Sequence, residues 1–241
     1  MRRISILLLV FCTCFALAAW PQAQGNDNGV ILSKDGRMTI STNPPAKGQP
    51  YVEDNAGLTT IYDNFGGHYP DGVYWCCTGL TIMGPDNKFG APEYWEAAAF
   101  TPATSLSVTK ISVALGIGNA GEKFTDIMLS LANDNGGIPG TAIKTWKVRE
   151  MPSLGSCCTV KTKTDSAGIP VAAGTQYWIT VTTETDSDVL AAWNLNDTKQ
   201  LAADAINEAY YCYSTGSGCE YNGVWVSSPT YPGLAFGVWG K

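Results

Sequence analysis

The stretch Ile111-Ser112-Val113-Ala114-Leu115-Gly116-Ile117 decides the fold class of this chain. Its large apolar residues occupy every second position, and successive side chains of a strand point to opposite faces, so a period of two marks a strand with one apolar face. The pattern recurs downstream. Ile127, Leu129 and Leu131 alternate with Met128 and Ser130, and Trp146 and Val148 with Thr145 and Lys147. Tyr177, Ile179 and Val181 alternate with Trp178, Thr180 and Thr182, and Leu234, Phe236 and Val238 close the chain in the same manner. Turn signals separate these segments: Asn133-Asp134-Asn135-Gly136-Gly137, Ile138-Pro139-Gly140, Ala173-Gly174 and Asp186-Ser187-Asp188.

The sequence therefore predicts an all-β chain, a single jelly-roll-like antiparallel β-sandwich. Val113, Leu115, Leu129, Leu131, Ile179, Val181 and Phe236 are expected to share one inter-sheet core. Glu93 to Phe100, fenced by Pro92 and Pro102, reads as a strand despite its alanines. Leu201 to Glu208 reads as a short helix or an irregular crossover. Residues 19–50 are polar and irregular, with one short strand expected near Arg37 to Ser41, and residues 51–241 form the sandwich domain.

Residues 1–18 read as a signal peptide. Arg2 and Arg3 precede the apolar run Ile6 to Phe11, and Ala16-Leu17-Ala18 supplies the small-x-small pattern before a cleavage point. The expected location is secreted, extracellular or at the cell surface. The apolar run is short for a bilayer and no later segment offers about 20 apolar residues, so no membrane span is expected. The formal net charge of −6 becomes two units more negative once Arg2 and Arg3 leave, which argues against nucleic acid as a partner. With 15% charged residues, 26 glycines and 13 prolines, the composition is that of a turn-rich strand protein.

Of the eight cysteines, Cys12 and Cys14 lie in the leader; Cys76, Cys77, Cys157, Cys158, Cys212 and Cys219 remain. An even number in an oxidising compartment predicts disulfides. Cys212 and Cys219 bracket the easily turned Ser214-Thr215-Gly216-Ser217-Gly218 and are expected to pair. The two doublets are expected to be linked to each other, with vicinal closure as the alternative. Zinc is disfavoured by the spacing and by His68 being the only histidine.

Ala98-Ala-Phe-Thr-Pro102, Asn133-Asp-Asn-Gly-Gly-Ile-Pro-Gly140, Gly155-Ser-Cys-Cys158, Gly174-Thr-Gln-Tyr-Trp178, Ala192-Trp-Asn194 and Ala235-Phe-Gly-Val238 give the chain a family likeness. From Leu58 to Gly240 it resembles secreted bacterial β-sandwich proteins of the PEP-CTERM or choice-of-anchor type. The resemblance implies a jelly-roll-like sandwich displayed on or released from a cell, and it carries over no catalytic residues. Family members with a sorting tail end in Pro-Glu-Pro, an apolar helix and a basic cluster; this sequence ends Gly237-Val-Trp-Gly-Lys241, so anchoring by that route is not expected.

The residues bear on four kinds of chemistry. Glycoside hydrolysis needs two carboxylates about 5 to 10 Å apart, and Asp71, Glu93 and Glu96 stand among Tyr69, Tyr74, Trp75, Tyr94 and Trp95. A serine triad has only His68 as a base and no Gly-x-Ser-x-Gly elbow. Asn133, Asp134 and Asn135 put several oxygens on one turn, as a structural calcium ion requires, although the same residues favour hairpin turns for conformational reasons. Finally, 8 tryptophans and 11 tyrosines exceed what a sandwich core needs. Trp146, Trp178, Trp193 and Trp239 are expected to pack, while Trp75, Trp95, Trp225 and Tyr231 are candidates for stacking on sugar rings. The expected function is non-catalytic: weak binding of a polysaccharide or other cell-surface polymer, or a structural role in a surface layer. The alternative is a carbohydrate-active hydrolase using the acidic pair near Glu93 and Glu96.

Overall fold

The computed structural model describes residues 30–32, 37–40, 55–65, 74–87, 92–117, 124–149, 151, 159–196, 208–216, 219, 221–227 and 233–241. The expected leader, Asp71, His68 and Tyr231 lie outside them. The strands are β1 (Val30–Leu32), β2 (Arg37–Ile40), β3 (Thr59–Asp63), β4 (Tyr74–Met83), β5 (Glu93–Phe100), β6 (Leu106–Ile117) and β7 (Phe124–Asp134). They continue with β8 (Pro139–Arg149), β9 (Thr159–Val171), β10 (Tyr177–Thr183), β11 (Leu190–Asn196), β12 (Glu208–Tyr213), β13 (Val224–Ser227) and β14 (Phe236–Gly240). There is no helix among the described residues, and every strand pairing is antiparallel.

Two layers emerge from the pairings. In one, β6 pairs β9 on one side and β14 and β11 on the other, with β3 beyond β14 and β4 and β2 beyond β11. In the second, the order is β13-β12-β5-β10-β7-β8. The layers are joined in the hydrogen-bonded path by the pair Met83↔Tyr94. From β5 to β14 the chain alternates between layers, leaving the second layer only for β6, β9, β11 and β14, which is the crossing habit of a jelly-roll-like sandwich.

The core lies where period two places it. Val113, Leu115, Leu129, Leu131, Ile179, Val181 and Phe236 are all fully buried in one cluster. Register explains the packing: Phe236 sits opposite Val113, Ile179 opposite Leu131 and Val181 opposite Leu129, so each strand adds its apolar face to the same layer. Trp193 is opposite Leu115 and meets the Phe236 ring edge-on at 6.0 Å. Trp178 and Trp239 are equally buried, and Trp146 packs against the core from its margin. Gly79 in β4 is required by close approach: a Cβ there would stand 2.2 Å from the Trp193 carbonyl oxygen.

Two expectations shift. The sandwich begins before residue 51, because β2 pairs with β4 and carries β1 with it; the otherwise polar segment holds two short strands, Val30–Leu32 and Arg37–Ile40, whose residues favour extended structure. Of Leu201 to Glu208, expected as a short helix or an irregular crossover, only Glu208 lies within the described residues, and it opens β12. Where β4 meets β11, the partner jumps from Gly79 to Trp75 between Asn194 and Leu195, so Cys76-Cys77 occupies a bulge. Cys157 and Cys158, and the side chains of Trp75, Cys76 and Cys77, lie outside the described residues, and with them the expected link between the doublets.

Candidate functional site: an aromatic row on three strands

Alternation along β5 sorts its residues. Ala98 and Phe100 enter the inter-sheet core, while Ala97 and Ala99 join Ala132, Trp178 and Ala209 in a second cluster on the opposite face. Trp95 shares the face of Ala97, and Glu96 that of Ala98. On β12 and β13 the register puts Tyr211 opposite Trp95 and Trp225 opposite Tyr211. Three aromatic side chains thus form one row across three neighbouring strands. Trp95 and Tyr211 stack with centroids 4.2 Å apart, and Trp225 leans on both, 6.3 Å from Trp95 and 5.8 Å from Tyr211. All three are half-buried. Trp225 also packs against the alanine cluster, whose small side chains leave room for an indole.

Hydrogen bonds fix the inner end of the row. Trp95 Nε1 donates to Thr183 Oγ1 at 3.0 Å, and Thr183 Oγ1 donates to Glu93 Oε1 at 3.3 Å. Burial raises the Glu93 carboxyl above its usual range, with the contacts from Thr183 and Trp95 opposing. The Tyr211 hydroxyl is raised by burial and then by Glu93 and Tyr213. At the outer end Tyr213, Tyr221 and Val224 are exposed.

The loop between β12 and β13 is stapled. Cys212 and Cys219 form the expected disulfide, with Cα atoms 5.6 Å apart. Asn222 Nδ2 donates to the Ser214 carbonyl at 2.9 Å and its Oδ1 accepts from the Ser214 amide at 2.7 Å, while Gly223 turns the chain into β13 at φ 75°. With the cysteines only 7 positions apart, the chain-entropy model assigns this bridge on the order of 2 kcal/mol. Cys212→Ser with Cys219→Ser is therefore expected to cause a modest drop in unfolding midpoint, read by denaturant titration. A collapse of the whole fold would contradict that scale.

The remaining sequence candidates separate. Trp95 lies in the strand expected over Glu93 to Phe100, Trp225 lies in β13, and the register through β12 brings the two together. Glu93 and Glu96 lie on opposite faces of β5, three residues being an odd number of half-periods, so the suggested acidic pair is not assembled. Glu96 instead faces inward towards Glu208, which stands opposite Ala98 on β12. Asn133, Asp134 and Asn135 are exposed at the β7–β8 hairpin. Asp134 is already engaged: Oδ1 accepts from Gln176 Nε2 at 2.7 Å and Trp178 Nε1 at 2.8 Å, and the Gly137 amide donates to the same carboxylate at 3.2 Å. Slight desolvation works to raise its pKa, but the bonds from Trp178, Gln176, Gly137 and Gly136 prevail and lower it. Among the described residues no three His, Cys, Asp or Glu side chains gather where they could hold a metal ion.

Tyr211 and Glu208 escaped the sequence reading, although Ala209-Tyr210-Tyr211-Cys212-Tyr213 carries the strand-favouring aromatics that would have located β12. The chain matches no family model, no curated protein and no solved structure.

Proposed function

We propose that the mature protein is a secreted, non-catalytic binding module that holds a polysaccharide or similar uncharged polymer on the Trp95–Tyr211–Trp225 row. The observation that carries this reading is the row itself: three half-exposed rings held in register by three strands. Sugar rings present apolar C–H faces that pack on aromatic π-systems, and a prebuilt row loses little side-chain entropy on binding. The acidic net charge disfavours anionic polymers. The Cys212–Cys219 bridge and the lack of any described helix long and apolar enough to cross a membrane are compatible with an extracellular setting. Binding is favoured over hydrolysis because Glu93 and Glu96 point away from each other.

The test is retention on a panel of insoluble neutral polysaccharides. Trp225→Ala is expected to weaken retention roughly tenfold, about 1.4 kcal/mol, the upper range of one aromatic contact; Trp95→Ala should do likewise and also loosen Tyr211. Wild-type retention on none of the panel, or equal retention by both variants, would replace this reading with a purely structural role.

A further inference from the structure

Glu96 and Glu208 are two acids in the inter-sheet space, 4% and 1% exposed. They occupy diagonal positions on the inward face of β5 and β12, where long side chains reach one another. Glu208 Oε1 accepts the Leu234 amide at 2.7 Å, while Oε2 is buried with no hydrogen-bond partner. Leu234 is held on its other side by Asn64 Nδ2, which donates to its carbonyl at 2.8 Å, and it bridges to Leu195. Glu208 therefore pins the start of β12 to the opposite layer. Among the described residues, the titratable groups around this pin are Tyr62 of β3, which Glu208 influences, and Asp63 beside it; the segment before β14 contributes only the Leu234 amide. The described ion pairs, Lys144 with Asp165 and Lys147 with Glu184, join other strands, β8 to β9 and β8 to the end of β10. Burial raises the Glu208 carboxyl, and the hydrogen bond from the Leu234 amide opposes it.

Two buried carboxyls so placed are stable only while protons keep them neutral; ionised, each loses hydration and repels the other. The strand they would push apart carries Tyr211, and Tyr211 carries Trp225 through β13. We propose that the Glu96–Glu208 pair is a proton-controlled latch that holds the aromatic row together in acid and neutral conditions and releases β12 and β13 from β5 in alkaline ones. Its role in ligand release rests on the binding reading above; the opening itself does not. Burial raises Glu208 to about 8 and, with repulsion from Glu208 second, raises Glu96 well above the carboxylate range, which sets the direction of the switch.

The experiment follows amide exchange of the mature protein between pH 6 and pH 9, corrected for the intrinsic rate, alongside retention on whichever neutral polysaccharide holds the wild type. The Tyr211 and Trp225 amides are expected to exchange at least tenfold faster at the alkaline end while the Ile179 amide does not. Glu208→Gln should flatten the difference, and Glu96→Gln should move its midpoint to higher pH. Uniform exchange across the strands, or an unchanged profile in both variants, overturns the latch whatever retention does. Local opening without any retention sustains the latch and removes the binding reading instead, and release from the polysaccharide in step with opening supports both.

Discussion

Raising the pH from 5 to 9 is expected to lower the unfolding free energy of the wild type by on the order of 4 kcal/mol through Glu208 alone. The carboxyl is 1% exposed, its folded value lies at about 8, and the ordinary value is 4.5. The folded state thus holds the proton more tightly than the unfolded chain. The stability this contributes is fully present below about 4.5 and declines as pH rises, until it is gone once the pH has passed about 8. A shift of that size at about 1.4 kcal/mol per unit gives the stated scale. It is a large share of the 5 to 15 kcal/mol that holds a typical domain together. Glu96 acts in the same direction, and Asp134, whose value is lowered, acts oppositely, giving stability above its unfolded value that is lost as the pH falls. Urea unfolding at several pH values checks this: Glu208→Gln should be the more stable protein at pH 9 and should show a much flatter profile. A wild-type profile that is flat from pH 5 to 9 would show that water or relaxation hydrates the pair.

Trp193→Ala is the substitution expected to cost most, about 3 to 5 kcal/mol. Trp193 is fully buried between β6 and β4, its neighbours in the sheet, and its ring lies within the cluster shared by both layers. Truncation removes the edge contact with Phe236 and leaves a cavity that closed β-pairings on both sides prevent from collapsing. The indole also donates to the Ala235 carbonyl at 2.9 Å, but that oxygen keeps the Ala114 amide at 3.1 Å, so the lost bond adds little. Trp193→Phe should therefore recover most of the stability. Comparison of the two variants by denaturant midpoint separates the terms, and a loss below about 1 kcal/mol in the alanine variant would mean that the site repacks.

Alternation of apolar residues along the chain determined the strands, the inward face of each and the composition of the core, because side-chain direction in a strand is a local property that neighbouring residues alone specify. For the same reason Cys212 and Cys219, separated by a short loop of turn-forming residues, could be paired from the sequence. The site was legible only in part. Trp95 and Trp225 could be singled out as surplus aromatics, yet nothing near either one indicates that Tyr211 stands between them, since pairing β5 to β12 and β12 to β13 is a long-range choice of register. Glu96 reads locally as a neighbour of Glu93, and only the pleat separates them and turns Glu96 towards Glu208. Local chemistry set what each strand could bury; the packing of distant strands decided which rings meet, which acids lose their water and where the chain can respond to pH.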